Sequence, residues 1–252
     1  EEGQRKRQVA LAISMAVNLG LLGYFKYAGF FVDSWVDAWQ QIGIGMSRPS
    51  MAIILPVGIS FYTFQTMSYT IDVYRRKLKP SNNLLEFATF VSFFPQLVAG
   101  PIERASRLLP QLQRLRTVSP IAVKLALRMI AWGLFKKVVI ADSAAQYANA
   151  IFASSDTLQG PILVAGIVAF ALQIYGDFSG YSDMAIGLGR LFGLRLKSNF
   201  RFPYFSRNIA EFWRRWHISL NSWFRDYLYI PLGGSKHGQA LALRNVAIVF
   251  LV

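Results

Sequence analysis

Cysteine is absent from this sequence of 252 residues, and histidine occurs only at His217 and His237. Without cysteine the chain can form no disulfide, no thiolate nucleophile and no zinc–cysteine site. The two histidines are too far apart in sequence for a His-x-x-x-His pair, so we predict no metal site, and we expect no permanently bound cofactor. The motifs typical of serine hydrolases, phosphate-loop ATPases and dinucleotide-binding dehydrogenases are also missing.

Charged residues are scarce as well. They make up 16% of the chain, against 54% hydrophobic residues, whereas a soluble domain carries about 25% charged residues. The mean hydropathy is +0.33. The net charge of +14 would suggest nucleic acid in a soluble protein, but basic cytoplasmic loops of a membrane protein explain it better. We therefore predict that the protein contacts membrane lipid and does not bind nucleic acid.

Long apolar runs predict an all-α fold of several transmembrane helices. We expect spans at residues 9–31, 51–71, 121–140 and 161–191, with loops at residues 32–50 and 141–160. Residues 84–100 are apolar but short and end near Pro95, Gly100 and Pro101. Because proline and glycine interrupt helices at membrane depth, this segment is predicted to be re-entrant or broken.

The distribution of basic residues predicts the topology. If Arg5, Lys6 and Arg7 are cytoplasmic and each span crosses once, all but six of the 27 lysines and arginines fall in inner segments or at their edges, and the outer loops hold only Arg48. This agrees with the positive-inside rule of a bacterial inner membrane and places His217 on the cytoplasmic side. Because the chain opens without methionine and stops within an apolar run, we interpret residues 1–252 as a single membrane-embedded domain truncated at both ends.

Residues 208–234 contain the richest group of candidate functional side chains. Trp213, Trp216, Leu220 and Trp223 follow helical spacing and predict an amphipathic helix at the cytoplasmic leaflet. His217 follows Trp216 directly. It is either a structural histidine or a proton acceptor, since imidazole titrates near neutral pH. Its predicted support and donor-binding residues are Asn208, Glu211, Trp213, Arg214, Arg215, Trp216 and Arg225, whose arginines could hold an anionic donor.

A second polar group interrupts the last predicted span. It consists of Asp177, Ser179, Tyr181, Ser182 and Asp183, flanked by glycines that allow close helix approach. One interpretation is a helix end at the lipid headgroups. The other is the polar wall of a funnel or a brace behind a catalytic group, because acids within a membrane are usually functional. Gln96 and Glu103 fit a structural break better than a site.

Five segments together carry a resemblance to a known family. They are Gly-Tyr-Phe-Lys-Tyr at residues 23–27, Leu-Pro-Val-Gly-Ile-Ser-Phe-Tyr at 55–62, Ile-Asp-Val-Tyr-Arg at 71–75, Asp-Phe-Ser-Gly-Tyr-Ser-Asp-Met-Ala-Ile-Gly at 177–187 and Glu-Phe-Trp-Arg-Arg-Trp-His-Ile-Ser-Leu at 211–220. In this order they resemble the membrane-bound O-acyltransferase family, and within it the alginate O-acetyltransferase branch. The resemblance implies a ring of helices around a central funnel, open to an acyl thioester on the cytoplasmic side.

The resemblance also implies residue roles. His217 matches the first of two family histidines. The second belongs to a Leu-Trp-His-Gly-type motif that these residues lack, and His237 in Ser-Lys-His-Gly does not match it. The second histidine is generally regarded as essential, so residues 1–252 alone are expected to be inactive. His217 would orient or assist, and Asp177 and Asp183 would brace the funnel.

The implied reaction moves an acyl group, most simply acetyl from acetyl-CoA, to the hydroxyl of an extracytoplasmic polysaccharide. An extracytoplasmic partner protein would complete the transfer. Two alternatives remain open from the residues themselves: a transporter or flippase for a polysaccharide precursor, which broken helices and intramembrane acids also fit, and a non-catalytic scaffold of an export complex.

Overall fold

In the computed structural model, residues 2–47 and 53–251 are described, and they form helices and turns without a β-strand. The all-α prediction is confirmed, whereas the ring around a central funnel stays a prediction. Arg48, the start of the expected span at residues 51–71 and the last residue of the chain lie outside the described residues. The α-helices are α1 (Glu2–Gln41), α2 (Ile59–Tyr74), α3 (Leu84–Val91), α4 (Ala105–Leu112), α5 (Pro120–Phe135), α6 (Asp142–Ala153), α7 (Gly160–Leu191), α8 (Ile209–Arg215), α9 (Ile218–Phe224) and α10 (Gln239–Leu251).

The chain divides into two compact units. The first comprises the residues up to Ser92 together with Arg104–Ser106, and the second comprises Phe93–Glu103 and the residues from Arg107 onward. Among the described residues, two helices are long and apolar enough to cross a bilayer, α1 and α7. The prediction of one membrane-embedded domain with more crossings stays a prediction.

In the first unit, polar side chains join α1 to α2. The Ser14 and Thr70 hydroxyls lie 3.1 Å apart, and Thr66 donates to Asn18 Oδ1 at 2.5 Å. The residue number of the contact increases along α1, from 14 to 18, while it decreases along α2, from 70 to 66. The two helices therefore run antiparallel. Hydroxyl and amide groups on otherwise apolar helices are stable when they hydrogen-bond across the helix interface.

Two predicted boundaries in this unit are wrong. The expected loop begins at residue 32, but α1 continues to Gln41, with Val36 buried and the rings of Trp35 and Trp39 packed 5.5 Å apart. The second helix begins only at Ile59, after Gly58 at a φ of 78°. Proline at residue 56 and this left-handed glycine form a turn in which the Ile59 N–H donates to the Pro56 carbonyl at 3.2 Å, and the helix starts only after it.

The predicted break after residue 91 is confirmed. Helix α3 ends at Val91 and a single 3₁₀ turn follows at Phe94–Gln96. Gly100 approaches that turn so closely that a Cβ atom would lie 2.4 Å from Gln96 Cα. No other residue type fits there without moving the backbone, which explains the glycine in this segment.

In the second unit, α5 packs tightly against α7. A Cβ atom on Gly133 would lie 2.4 Å from the Gly180 carbonyl oxygen, and one on Gly187 would lie 2.8 Å from the Ala126 carbonyl oxygen. Small residues at these positions let the two backbones meet. Helix α7 spans Gly160–Leu191 and so confirms the prediction for residues 161–191.

The segment after α5 differs from the prediction of a loop at residues 141–160. A π-helical turn covers Lys136–Ala141, and α6 then runs from Asp142 to Ala153. Ala148 on α6 is fully buried, and Ile151 fills the space over Gly166 of α7. These apolar residues give α6 a face that packs on α7. Because of this packing, the segment is helical even though it contains polar residues typical of a loop.

Candidate active site

The predicted amphipathic helix is broken at the histidine. Helix α8 ends at Arg215, Trp216 is extended, and His217 has left-handed backbone angles, with a φ of 41°. Helix α9 begins immediately afterwards. The single continuous face predicted for the tryptophans is therefore wrong: Trp213 is 38% exposed, whereas Trp223 is buried.

A loop residue far in sequence holds this break in place. The backbone carbonyl of Asn199 accepts from the Ile218 N–H at 2.9 Å. Its side-chain Oδ1 accepts from the Ser219 hydroxyl at 2.6 Å and from the Ser219 N–H at 3.4 Å. Since the first N–H groups of a helix have no partner within the helix, Asn199 supplies the N-terminal cap of α9.

The imidazole of His217 takes no part in this cap. Its ring packs edge-on against Phe178 of α7, with the ring centres 4.6 Å apart. The residue as a whole is half-buried, but the Nε2 atom is buried and has no hydrogen-bond partner. Burial lowers the pKa of His217 to about 4, so the ring is neutral at pH 7. Desolvation disfavours the charged form of a buried base.

Aromatic rings surround Trp216 on the N-terminal side of the histidine. Its indole stacks on Phe212 at 5.5 Å and meets Phe200 edge-on at 5.1 Å. Tyr204 and Tyr175 lie at the rim of the same cluster, each 6.2 Å from Trp216. Trp213 touches this cluster through Phe212, 5.4 Å away, and also packs against Phe250. Of the two predicted supporting tryptophans, the structure brings only Trp216 close to the α7 aromatics.

Helix α8 has a well-formed N-terminus. Asn208 accepts from the Glu211 N–H at 2.8 Å, which is the geometry of an N-cap. The Glu211 carboxylate in turn accepts from the Arg207 N–H, and pairs with the guanidinium of Arg215 at 2.5 Å. The backbone N–H of Arg207, aided by the two arginine side chains, holds the pKa of Glu211 below its usual range. Asn208 and Glu211 thus order α8.

The three predicted donor-binding arginines differ in their surroundings. Arg215 is 32% exposed and engaged with Glu211. Arg214 is exposed. Arg225 lies in the π-helical turn Arg225–Tyr229, is 61% exposed and contacts Asp226 at 2.8 Å. Arg214 and Arg225 are consequently better placed than Arg215 to meet an anion from solution.

The predicted funnel-wall residues are used mainly in packing α7. Asp183 pairs with Lys136, and Asp177 pairs with Lys137, each at 2.6 Å. Lys137 also contacts Asp142 at 2.6 Å. Ser179 is buried and Tyr181 is half-buried. Sequence reasoning missed these lysine partners because it counted both lysines only as cations inside a span; an intramembrane lysine opposite an intramembrane acid was the available signal.

Ser182 has a different environment from the acids beside it. Its hydroxyl donates to the Ala99 carbonyl at 3.1 Å and accepts from the Asn199 amide at 3.0 Å. Glu103 is fully buried and accepts from the Lys197 N–H, which supports its structural interpretation. Among residues 2–47 and 53–251, no group of three or more histidine, aspartate or glutamate side chains could hold a metal ion.

Together these features define an all-helical protein with two helices apolar enough to cross a bilayer and a neutral imidazole, its Nε2 buried, at a break between two short helices. Residues 74–252 match the family model of MBOAT, the membrane-bound O-acyltransferase family. The chain belongs to this family, and the resemblance found in its motifs is confirmed.

Named relatives agree with this assignment. The chain is 46% identical over 251 residues to the probable alginate O-acetylase AlgI of Pseudomonas aeruginosa, covering 98% of this chain and 47% of that protein. It is 36% identical to the peptidoglycan O-acetyltransferase of Helicobacter pylori, with 98% and 51% covered. It is 30% identical to the teichoic acid D-alanyltransferase of Bacillus subtilis, with 73% and 47% covered. The chain thus spans about half the length of these curated relatives.

Proposed function

We propose that the whole protein is a membrane O-acyltransferase. It moves an acyl group, acetyl in the first instance, from a cytoplasmic thioester towards the hydroxyl of an extracytoplasmic polysaccharide. The observation that carries this proposal is the neutral imidazole of His217, whose buried Nε2 has no partner among the described residues. Membership of the family supports the reaction class, and two relatives are named for O-acetylation of alginate or peptidoglycan.

The chemistry requires a base and a route for a proton. A hydroxyl or thiol attacks the thioester carbonyl, a bond forms from the attacking atom to the carbonyl carbon, and the carbon–sulfur bond breaks. The proton of the nucleophile passes to a base, and the departing thiolate takes up a proton. A neutral imidazole can accept a hydrogen bond from the nucleophile. His217 orients or assists in this step, and a second histidine outside these residues is the expected principal base.

The donor is proposed to be acetyl-CoA or another acyl thioester. Its phosphates need exposed cations near the histidine break. Arg214 is exposed there, and Arg225, although it contacts Asp226, has a side chain that is 61% exposed. A guanidinium binds phosphate oxygens through paired hydrogen bonds. Arg215 instead keeps α8 and Glu211 together.

The cellular location of the reaction is also part of this proposal. We place the protein in a bacterial inner membrane as a multipass protein, with α1 and α7 among its spans and a helical funnel between the two faces. The donor enters from the cytoplasm, and a partner protein outside the cytoplasm receives the acyl group or delivers it to the polymer. The basic segments around α4 and α8 support a cytoplasmic location for those helices.

Replacing the histidine tests the proposal. The variant His217→Gln of the whole protein, assayed in membrane vesicles with labelled acetyl-CoA and the polymer, should lose about 100-fold of its transfer rate, because misplacing a reacting group by about 1 Å costs that much. His237→Gln is the matched control and should retain wild-type transfer, because His237 is exposed and lies outside the site.

Normal transfer by a well-folded His217→Gln variant would remove His217 from the reaction. Movement of polymer precursor across the vesicle membrane without consumption of the thioester would replace the acyltransferase with the transporter or flippase.

A further inference from the structure

A buried polar chain links three separate parts of the second unit. It runs from the Ala99 carbonyl through the Ser182 hydroxyl to the Asn199 amide, and from Asn199 Oδ1 to the Ser219 hydroxyl. The Ser219 oxygen also accepts from the Ile102 N–H at 2.9 Å. The broken segment after α3, helix α7 and helix α9 therefore meet at one asparagine.

Both ends of the Asn199 side-chain amide are in use. Its nitrogen donates to Ser182 and its oxygen accepts from Ser219. Rotating the amide by half a turn would place its nitrogen against the Ser219 N–H and draw the Ser182 hydroxyl away from the Ala99 carbonyl. The side chains of all three residues are at most 2% exposed, and water cannot substitute easily for a lost partner. A fully satisfied buried network of this kind has one arrangement.

The position of this network next to His217 is what gives it a role. At the first position of a helix, a side chain such as asparagine or serine usually caps its own helix. Here His217 occupies that position in a left-handed conformation that is rare outside glycine, and a residue 18 positions earlier in the chain provides the cap. The imidazole is thereby left out of the backbone hydrogen bonding.

We propose that Asn199 is a positioning residue for His217: by capping α9 from outside, it fixes the left-handed turn and holds the imidazole against Phe178. This inference rests on the proposed function for its catalytic meaning. Ser182 contributes indirectly to the position of His217, because it fixes the orientation of the Asn199 amide. Neither residue needs to touch the substrates.

Histidine labelling tests the positioning without any assay of transfer. The whole protein in membranes is treated with diethyl pyrocarbonate at pH 7, and the modification rates of His217 and His237 are read from their peptides by mass spectrometry. In Asn199→Ala, His217 should react about tenfold faster, the gain in local opening expected when a helix cap is lost. His237, exposed in every variant, is the internal reference.

Three further variants sharpen the result. Asn149→Ala makes the same chemical change on an exposed face of α6 and should leave His217 protected. Asn199→Asp keeps an oxygen that can accept from Ser219 but loses the donor to Ser182 and buries a carboxylate, so it should restore only part of the protection. Ser182→Ala should expose His217 less than Asn199→Ala does, since the Asn199 side-chain oxygen can still accept from Ser219. It also remains testable if the alanine at 199 prevents folding.

Transfer assays then separate this inference from the proposed function. The turnover number should fall in step with the loss of protection, while the KM for the thioester stays unchanged. Unchanged labelling of His217 in both Asn199→Ala and Ser182→Ala would overturn the positioning role even in an active enzyme. If His217 labels faster in Asn199→Ala but the wild-type protein transfers no acyl group, the positioning role stands and the proposed function fails.

Discussion

Two regions of the second unit treat polar groups in opposite ways. Between α5 and α7, Asp177 and Asp183 each lie 2.6 Å from a lysine Nζ, and glycines bring the two backbones together. At the break between α8 and α9, the buried Nε2 of His217 has no partner. The charges of the first region are thus paired within the helix packing, whereas the second region contains a buried polar atom that is not paired.

The contrast shows which buried polar group to regard as functional. An ion pair inside an apolar environment is expensive to separate, and its members are committed to each other. An unpaired buried nitrogen costs stability. The amide of Gln65 is also buried without a partner among the described residues, but an imidazole, unlike an amide, can act as a base. His217 is therefore the reactive candidate, and the aspartates of α7 are braces.

The largest effect should come from separating an ion pair. The variant Lys136→Met leaves Asp183 without its cation in a site where the two side chains are only 14% and 24% exposed. We expect a loss of about 3–5 kcal/mol in the free energy of unfolding, measured by denaturation in mixed micelles. The double variant Lys136→Met/Asp183→Asn should recover most of that loss.

The control for this experiment is Lys6→Met, because the Lys6–Glu2 pair is 75% and 83% exposed. An exposed pair contributes about 0–1 kcal/mol. If the double variant is no more stable than Lys136→Met, the α5–α7 charges do not act as a pair, and the contrast between the two regions is lost.

An intermediate effect should appear with pH at the histidine. The pKa of His217 is lowered to about 4 by burial, below the value of about 6.5 in an unfolded chain. Between these values the unfolded state binds the extra proton, so the stabilisation is complete above pH 6.5 and is lost as the pH falls towards 4. The total loss is about 3 kcal/mol.

Unfolding free energies of wild type and His217→Gln, measured from pH 7.5 to 4.5, isolate this contribution, because the carboxylates common to both proteins cancel in the difference. The wild type should lose stability relative to the variant as the pH falls. Parallel curves would mean that the imidazole is solvated or paired, and that the histidine site resembles the α5–α7 interface after all.

The smallest effect should come from the glycines of the interface. Gly133→Ala places a methyl group 2.4 Å from the Gly180 carbonyl oxygen, and such overpacking costs about 1–3 kcal/mol. Gly23→Ala on α1 has no atom within 4 Å and should be neutral or stabilising by up to about 1 kcal/mol. Equal thermal midpoints for the two variants would show that α5 and α7 are less tightly packed than the contacts require.

The sequence predicted helices and breaks correctly where a single local feature determined them. The apolar run of α7 and the proline–glycine break after α3 are both local features, and both are confirmed. The ends of α1 and the whole of α6 were missed for the opposite reason. Their polar residues read as loops, but the buried Val36 and Ala148 show that tertiary packing extends these helices.

The candidate site was harder to predict because its shape depends on distant residues. The tryptophan spacing around His217 indicated one helix, and only the hydrogen bonds from Asn199 to Ile218 and Ser219 explain why the helix breaks. Nothing local in residues 208–224 encodes that contact. Counting lysines by side of the membrane likewise could not reveal that Lys136 and Lys137 face separate aspartates.

The π-helical turn at Lys136–Ala141 supplies two anchors for α7, one from each of its first two residues. Neighbouring lysines on one helix reach Asp177 and Asp183, which are six residues and therefore about 9 Å apart along the axis of the other. A single tether would let a helix swivel or slide. Two ion pairs resist rotation and sliding together. They therefore help to hold Phe178, which lies between the two aspartates in sequence, against the ring of His217.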